Sequence, residues 1–247
     1  MYNQTITLFS NLLNRTIRVR VLHPGTQNCK VLFLLHGYGG TEDKWMEHSC
    51  IETLALKHNL AVIMPGCGNG YYENTLEPMK TFLGEELLPY IWRHFSVSRK
   101  REDTYIAGAT MGGFGALLVG SHYSYFFSKI ACISGAFIIQ DVLIGNPGVL
   151  GKADPNYFKK IFGDFETLED SDRNPIYEVK LAVTESRMCP VYLVCGDKDA
   201  LKEPNLQIKK QLDQLNVPNE CHIFPGKHDW DFCNEQLPSV IQWLVSP

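Results

Sequence analysis

The stretch Tyr105-Ile106-Ala107-Gly108-Ala109-Thr110-Met111-Gly112-Gly113-Phe114-Gly115-Ala116 decides how this chain is read. A short apolar strand runs into a turn of small residues, and a helix leaves it. Gly108 to Gly112 fits the frame G-x-S-x-G, in which a strand turns sharply into a helix and presents a hydroxyl at the tip. The central residue here is Thr110 rather than Ser. That is a tension within the motif, because the turn holds its central residue near positive φ, where a β-branched side chain is strained. The glycines supply the absent side chains that let strand and helix approach, and the following helix offers its N-terminus to negative charge at residue 110.

Outward from this turn the chain alternates strands and helices. Thr5 to Phe9 and Thr16 to Leu22 alternate polar and apolar residues around an Asn11 to Asn14 turn, which predicts an antiparallel edge hairpin. Apolar runs at Val31-Leu35, Ala61-Met64, Tyr105-Ala107, Ile130-Ile133, Val191-Val194 and His222-Phe224 predict buried strands. Helical spacing covers Glu85 to His94, Gly113 to Ser121, Asn205 to Leu215 and Glu235 to Leu244. The succession predicts a single α/β domain over residues 1–247, a mostly parallel doubly wound sheet with right-handed crossovers and sites at the carboxyl ends of its strands. Residues 137–187 break the rhythm. Gly145, Pro147, Gly148, Pro155, Gly163 and Pro175 are too many breakers for one crossover helix, so the stretch is expected to be an irregular lid-like insertion over the strand ends.

Composition excludes several classes. A net charge of -4 leaves no basic face for nucleic acid and no polybasic segment for a membrane, so a small molecule is the expected partner. Met1 to Arg15 lacks the charged and apolar pattern of a secretory signal, and no segment reaches membrane-spanning length. Eight cysteines without CxxC or Cys/His ligand spacing read as reduced core thiols, with no metal expected. A cytoplasmic protein, free to form a homo-oligomer, is the expectation.

Three further motifs carry chemistry. The strand Val31-Leu35 runs into His36-Gly37-Tyr38-Gly39-Gly40, whose glycines free backbone amides to converge on an oxyanion, with Tyr38 and Met111 as the amide pair. The strand Val191-Val194 ends in Cys195-Gly196-Asp197-Lys198-Asp199, two carboxylates just past a strand end. Asp199 is the preferred acid and Asp197 the reserve. The last strand, a glycine turn and His228-Asp229-Trp230 precede the final helix, which makes His228 the candidate base. The chain order 110, 199, 228 is that of nucleophile, acid and base on this sheet type.

On these motifs, from His36-Gly37-Tyr38-Gly39-Gly40 through Thr110-Met111-Gly112-Gly113-Phe114-Gly115-Ala116 to His228-Asp229-Trp230, the chain resembles the esterase D-like group of α/β-hydrolases, and most of all its small tributyrin and acetyl esterases. Glu85-Glu86-Leu87-Leu88-Pro89 and Gly70-Tyr71-Tyr72 are similar to that group as well. The resemblance implies attack on a short-chain acyl ester by residue 110, with His228 taking the proton, Asp199 orienting the imidazole and the Tyr38 and Met111 amides holding the oxyanion, through an acyl-enzyme and without cofactor or metal. Gly37, Gly39 and Trp230 are the expected substrate contacts. S-formylglutathione hydrolase or feruloyl esterase activity, or a non-catalytic ligand-binding homologue, are the alternatives. The departure is Thr110, which fits a variant that lost hydrolysis, an introduced substitution or a slow working nucleophile.

Overall fold

The computed structural model describes residues 1–143 and 155–246. Eight strands form one sheet: β1 Tyr2–Ser10, β2 Arg15–His23, β3 Lys30–Leu35, β4 Leu60–Pro65, β5 Thr104–Ala109, β6 Lys129–Ile133, β7 Val191–Gly196 and β8 Asn219–Phe224. Their order is β1-β2-β4-β3-β5-β6-β7-β8. Strands β3 to β8 pair in parallel, while β1 pairs antiparallel with β2 and β2 antiparallel with β4. This is the mostly parallel, doubly wound sheet with an antiparallel edge hairpin that the sequence predicts. The hairpin closes where Ser10 pairs with Arg15, and Asn14 takes φ 49° to make the reversal.

The helices are α1 Lys44–His48, α2 Ile51–Lys57, α3 Met79–Thr81, α4 Leu88–His94, α5 Met111–His122, α6 Ile139–Leu143, α7 Pro155–Phe162, α8 Pro175–Thr184, α9 Lys202–Gln214 and α10 Trp230–Val245. Because successive strand side chains point to opposite faces, a strand buried on both sides must be apolar throughout. In β3, Val31, Phe33 and Leu35 enter one core while Leu32 and Leu34 enter the other. The first core is covered by α4, α5, α8 and α9, and the second by α1, α2 and α10, whose Phe232, Leu237, Val240, Ile241 and Leu244 are all buried. Among the described residues, no helix is long and apolar enough to cross a membrane.

Helical spacing from Glu85 to His94 predicts one regular helix, and the structure differs there. The helical path begins at Met79 and passes through a π-helical turn, Phe82–Leu87, before α4. Pro89 has no N–H and its ring clashes with the carbonyl four residues back, so the chain widens ahead of it, with the Leu88 amide donating to the Leu83 carbonyl five residues earlier. The last strand also starts three residues before His222, and α5, α9 and α10 each begin before the predicted boundary. Element ends are where local sequence is least informative.

Of the irregular stretch 137–187, residues 144–154 lie outside the described residues. The remainder divides in two. Tyr157 and Phe158 on α7 line the main cavity, whereas α8 packs along α5 as a layer helix. Asn174 caps α8 by accepting from the Ile176 amide at 3.1 Å, with Pro175 in the first turn.

Candidate active site

The turn between β5 and α5 brings Thr110 to φ 56°, ψ -118°, a region that glycine favours and a branched residue enters only under strain. Four backbone hydrogen bonds hold it there. The Thr110 amide donates to the Ile133 carbonyl (3.0 Å), and the Thr110 carbonyl accepts from Gly113 (3.0 Å), Phe114 (3.1 Å) and Ala136 (2.8 Å). The turn is this tight because two neighbours have no side chain. A Cβ on Gly108 would lie 2.3 Å from the Gly112 carbonyl oxygen, and one on Gly112 would lie 2.3 Å from that of Leu35.

The Thr110 side chain adopts the rotamer that points its hydroxyl at His228, with Oγ1 to Nε2 at 3.1 Å. On the other edge of the ring, Nδ1 lies 2.9 Å from Oδ2 of Asp199. The Asp199 side chain is fully buried, and its second oxygen accepts from the Leu201 amide at 2.8 Å. Burial alone raises its pKa, but hydrogen bonds from His228, Ser134 and Leu201 outweigh that and hold the carboxyl below its ordinary value. A carboxylate that stays ionised keeps the Nδ1 proton in place and leaves Nε2 as the acceptor facing Thr110. Asp197 points elsewhere: its Oδ1 accepts from the Gly226 amide at 2.9 Å and ties down the loop that carries His228.

The loop after β3 is shaped by His36, which is buried. Its Nε2 accepts from the Cys67 amide (3.1 Å), so the proton sits on Nδ1, which donates to the Gly37 carbonyl (2.8 Å). Burial keeps this ring below its usual pKa. Tyr72 donates to the His36 carbonyl at 2.7 Å, and Trp45 donates to that of Leu35 at 3.0 Å, so each carbonyl released at the strand end is taken up. Gly37 then passes close beside Thr110; a Cβ there would be 3.3 Å from Thr110 Oγ1. The Gly39 amide donates to Asn69 and that of Gly40 to Gly37, whereas the amides of Tyr38 and Met111 have no acceptor among the described residues. Met111 is the first residue of α5, where an amide is unpaired by helix geometry.

These groups open into a cavity of about 880 Å³, which Gly37, Tyr38, Gly39, Thr110, Asp199, His228 and Trp230 all line. The structure thus gathers the candidate residues around one cavity except the reserve Asp197, which bonds Gly226 instead, and the buried Met111, which follows Thr110 at the start of α5. Trp230 is anchored edge-on against Trp45 (5.1 Å) and stacked on His48 (5.1 Å). Among the described residues, no group of three or more histidines, cysteines or acidic residues is arranged to hold a metal ion.

Ser134 and Asn205 escape sequence reasoning. Ser134 follows β6 at φ 47° and, besides bonding Asp199, donates its amide to Val194 (2.7 Å). Asn205, fully buried, bonds both the amide and the carbonyl of Gly135 (3.2 and 2.9 Å) and the Leu201 carbonyl (2.8 Å), fastening the loop after β6, whose Ala136 amide holds the Thr110 carbonyl, to the Asp199 loop. Serine after an apolar strand and asparagine in a helix carry no local signal of such work; only position beyond two adjacent strand ends reveals it.

The model of the family described as Esterase, putative esterase, matches residues 10–244. The chain belongs to this esterase family. An acetyl esterase of Caldicellulosiruptor saccharolyticus is 32% identical over 224 residues, covering 89% of this chain and 84% of that protein. Among solved structures, the substrate-bound fluorophosphonate-binding serine hydrolase FphF of Staphylococcus aureus superposes with a TM-score of 0.90 at 25% identity, covering 100% and 99% of the two chains. The S-formylglutathione hydrolase FrmB of the same organism superposes at 0.87 with 26% identity, covering 99% of each. The esterase has the α/β-hydrolase fold and is by family a carboxylic ester hydrolase, of a kind whose relatives act on small-molecule esters.

Proposed function

We propose that this esterase hydrolyses short-chain acyl esters with Thr110 as nucleophile, His228 as general base and Asp199 as the acid that orients it. The observation that carries the reading is the unbroken chain Thr110 Oγ1 to His228 Nε2 (3.1 Å) and His228 Nδ1 to Asp199 Oδ2 (2.9 Å) on the wall of the cavity. Thr110 attacks the ester carbonyl while His228 accepts its proton. The Tyr38 and Met111 amides, aided by the N-terminus of α5, receive the developing oxyanion. His228 returns the proton to the departing alkoxide, and water, deprotonated by the same nitrogen, then releases the acyl group from Thr110. The name of the Caldicellulosiruptor relative, acetyl esterase, supports a short acyl group. Eight free cysteines accord with a reducing, cytoplasmic setting.

The γ-methyl of Thr110 is the cost. It adds branching at a strained turn, and loss of the nucleophile in a serine protease lowers turnover by about six powers of ten, which bounds the penalty. Hydrolysis of p-nitrophenyl acetate by this chain, by Thr110→Ser and by a Thr110→Ala/His228→Ala control tests the proposal. Activity of the chain above the control is expected, with a higher kcat for Thr110→Ser. Activity of Thr110→Ser alone marks a disabled enzyme, and if neither exceeds the control the protein is a binding homologue for this substrate class.

A further inference from the structure

Tyr71 is out of place for a purely structural residue. It and Tyr72 are consecutive residues with positive φ, 54° and 62°, a pairing that costs bulky side chains backbone strain. The Tyr72 hydroxyl has a partner in the His36 carbonyl. Among the described residues the Tyr71 hydroxyl has none: its oxygen is buried without a hydrogen-bond partner there, although the residue is 99% buried and lines the catalytic cavity. Its ring sits in an aromatic nest against Phe114, at 5.3 Å, and Phe162, at 5.2 Å. Phenylalanine would fill that nest equally well, without a desolvated hydroxyl to satisfy. Burial, reinforced by the neighbouring hydroxyls of Tyr157 and Tyr38, pushes the Tyr71 pKa far up, so the group is a donor and never a phenolate at working pH.

Direction follows from the chemistry of the wall. The leaving alcohol departs past His228, which must protonate it, so the alcohol side of the cavity is the His228, Asp229 and Trp230 side. Tyr71 packs instead on Phe114, one helical turn beyond Thr110, where the acyl group remains attached. We infer that the Tyr71 hydroxyl donates a hydrogen bond to an oxygen carried on the acyl chain, making this a subsite for oxygen-bearing acyl groups over alkyl ones of equal length. The inference rests on the esterase reading and extends it to acyl selectivity. A buried donor left unpaired by an alkyl chain is what gives such a site discrimination.

The test compares p-nitrophenyl methoxyacetate with p-nitrophenyl butanoate, whose acyl groups differ by one ether oxygen in place of a methylene. Turnover is measured in the Thr110→Ser background with and without Tyr71→Phe, and the ratio of the two kcat/KM values is compared between the two proteins, a comparison in which the intrinsic reactivity of each ester cancels. Tyr71→Phe is expected to lower the methoxyacetate-to-butanoate ratio about tenfold, the worth of one buried hydrogen bond to an otherwise unpaired donor, with a melting temperature unchanged or raised. An unchanged ratio overturns the inference. So does a parallel loss on both esters with a lowered melting temperature, the mark of a packing role. So does a response confined to an alcohol-side pair, 2-methoxyethyl acetate against butyl acetate. Binding of methyl methoxyacetate and methyl butanoate to the Thr110→Ala protein, followed by tryptophan fluorescence, reads the same ratio without turnover. Failure of the esterase reading therefore shows as absent hydrolysis, and failure of the Tyr71 inference as equal relative binding with and without Tyr71→Phe.

Discussion

Asp199→Asn separates the two carboxylates of the Cys195 to Asp199 loop. The Asp199 carboxylate accepts from His228 Nδ1 at 2.9 Å, from the Leu201 amide at 2.8 Å and from Ser134. Asparagine has a single acceptor oxygen. If that oxygen keeps the Leu201 amide, the side-chain NH2 faces Nδ1, which must then accept, and the imidazole proton moves to Nε2. There it points at Thr110 Oγ1, 3.1 Å away, and no base is left to take the hydroxyl proton. The equivalent change in a serine protease lowers kcat about 10⁴-fold with the geometry intact, and four decades correspond to about 5.4 kcal/mol of transition-state stabilisation. Asp197→Asn, by contrast, keeps the Oδ1 that accepts from Gly226, and its effect stays within about 0.5 kcal/mol. The assay is p-nitrophenyl acetate hydrolysis in the Thr110→Ser background across pH 5 to 9. Equal losses for the two variants, or a larger one for Asp197→Asn, refute the tautomer argument and the choice of acid.

Thr110→Gly relieves a strained branched residue at φ 56° and is expected to raise the unfolding free energy by about 1 kcal/mol after glycine's own entropy is counted, while removing hydrolysis altogether; urea unfolding alongside the ester assay checks both. Glu178→Gln removes the charge that Lys80 Nζ (2.8 Å) and His122 Nδ1 (2.9 Å) share in the layer between α5 and α8, where Lys80 and Glu178 are each 1% exposed. Lys80 keeps the Asp172 carboxylate at 2.9 Å and the Asp172 carbonyl at 2.8 Å, so the ammonium stays paired and the expected loss by denaturant titration is about 1–3 kcal/mol. The same site sets a pH dependence. Burial works to raise the Glu178 pKa, but the bonds from His122 and Lys80 hold it below the ordinary value, so its contribution is full above the unfolded carboxyl pKa of about 4.3 and is lost as pH falls through the lower native value. Melting temperature against pH is therefore expected to fall less steeply in acid for Glu178→Gln than for the parent chain.

Much of the architecture was legible locally. The runs Val31-Leu35 and Val191-Val194 are apolar at every position because both faces of a central strand are buried, and that pattern requires no knowledge of neighbours. The π-helical turn before Pro89 was not legible as such, since a helical period describes which face is apolar and not how a missing N–H is absorbed. The candidate site divides in the same way. Thr110, Asp199 and His228 each follow a strand and a short turn, so their positions carry a signal of their own. Ser134 and Asn205 do not, because what marks them is a partner contributed by a segment distant in the chain, and Gly70-Tyr71-Tyr72 shows only as a resemblance, without the burial that gives the Tyr71 hydroxyl its meaning.

The sequence by itself determined the alternation of elements, the glycine frame around Thr110 and the chain order of the three candidate side chains, all of which follow from periodicity and from the steric demands of tight turns. Only the tertiary structure decided that Asp199 and not Asp197 meets His228, that the Thr110 hydroxyl faces the imidazole despite its branched Cβ, and that Tyr71, whose hydroxyl has no partner among the described residues, lines the cavity. The reason is physical. Hydrogen bonds of 2.9 and 3.1 Å depend on where separate strand ends come together, and that placement is set by packing across the whole sheet.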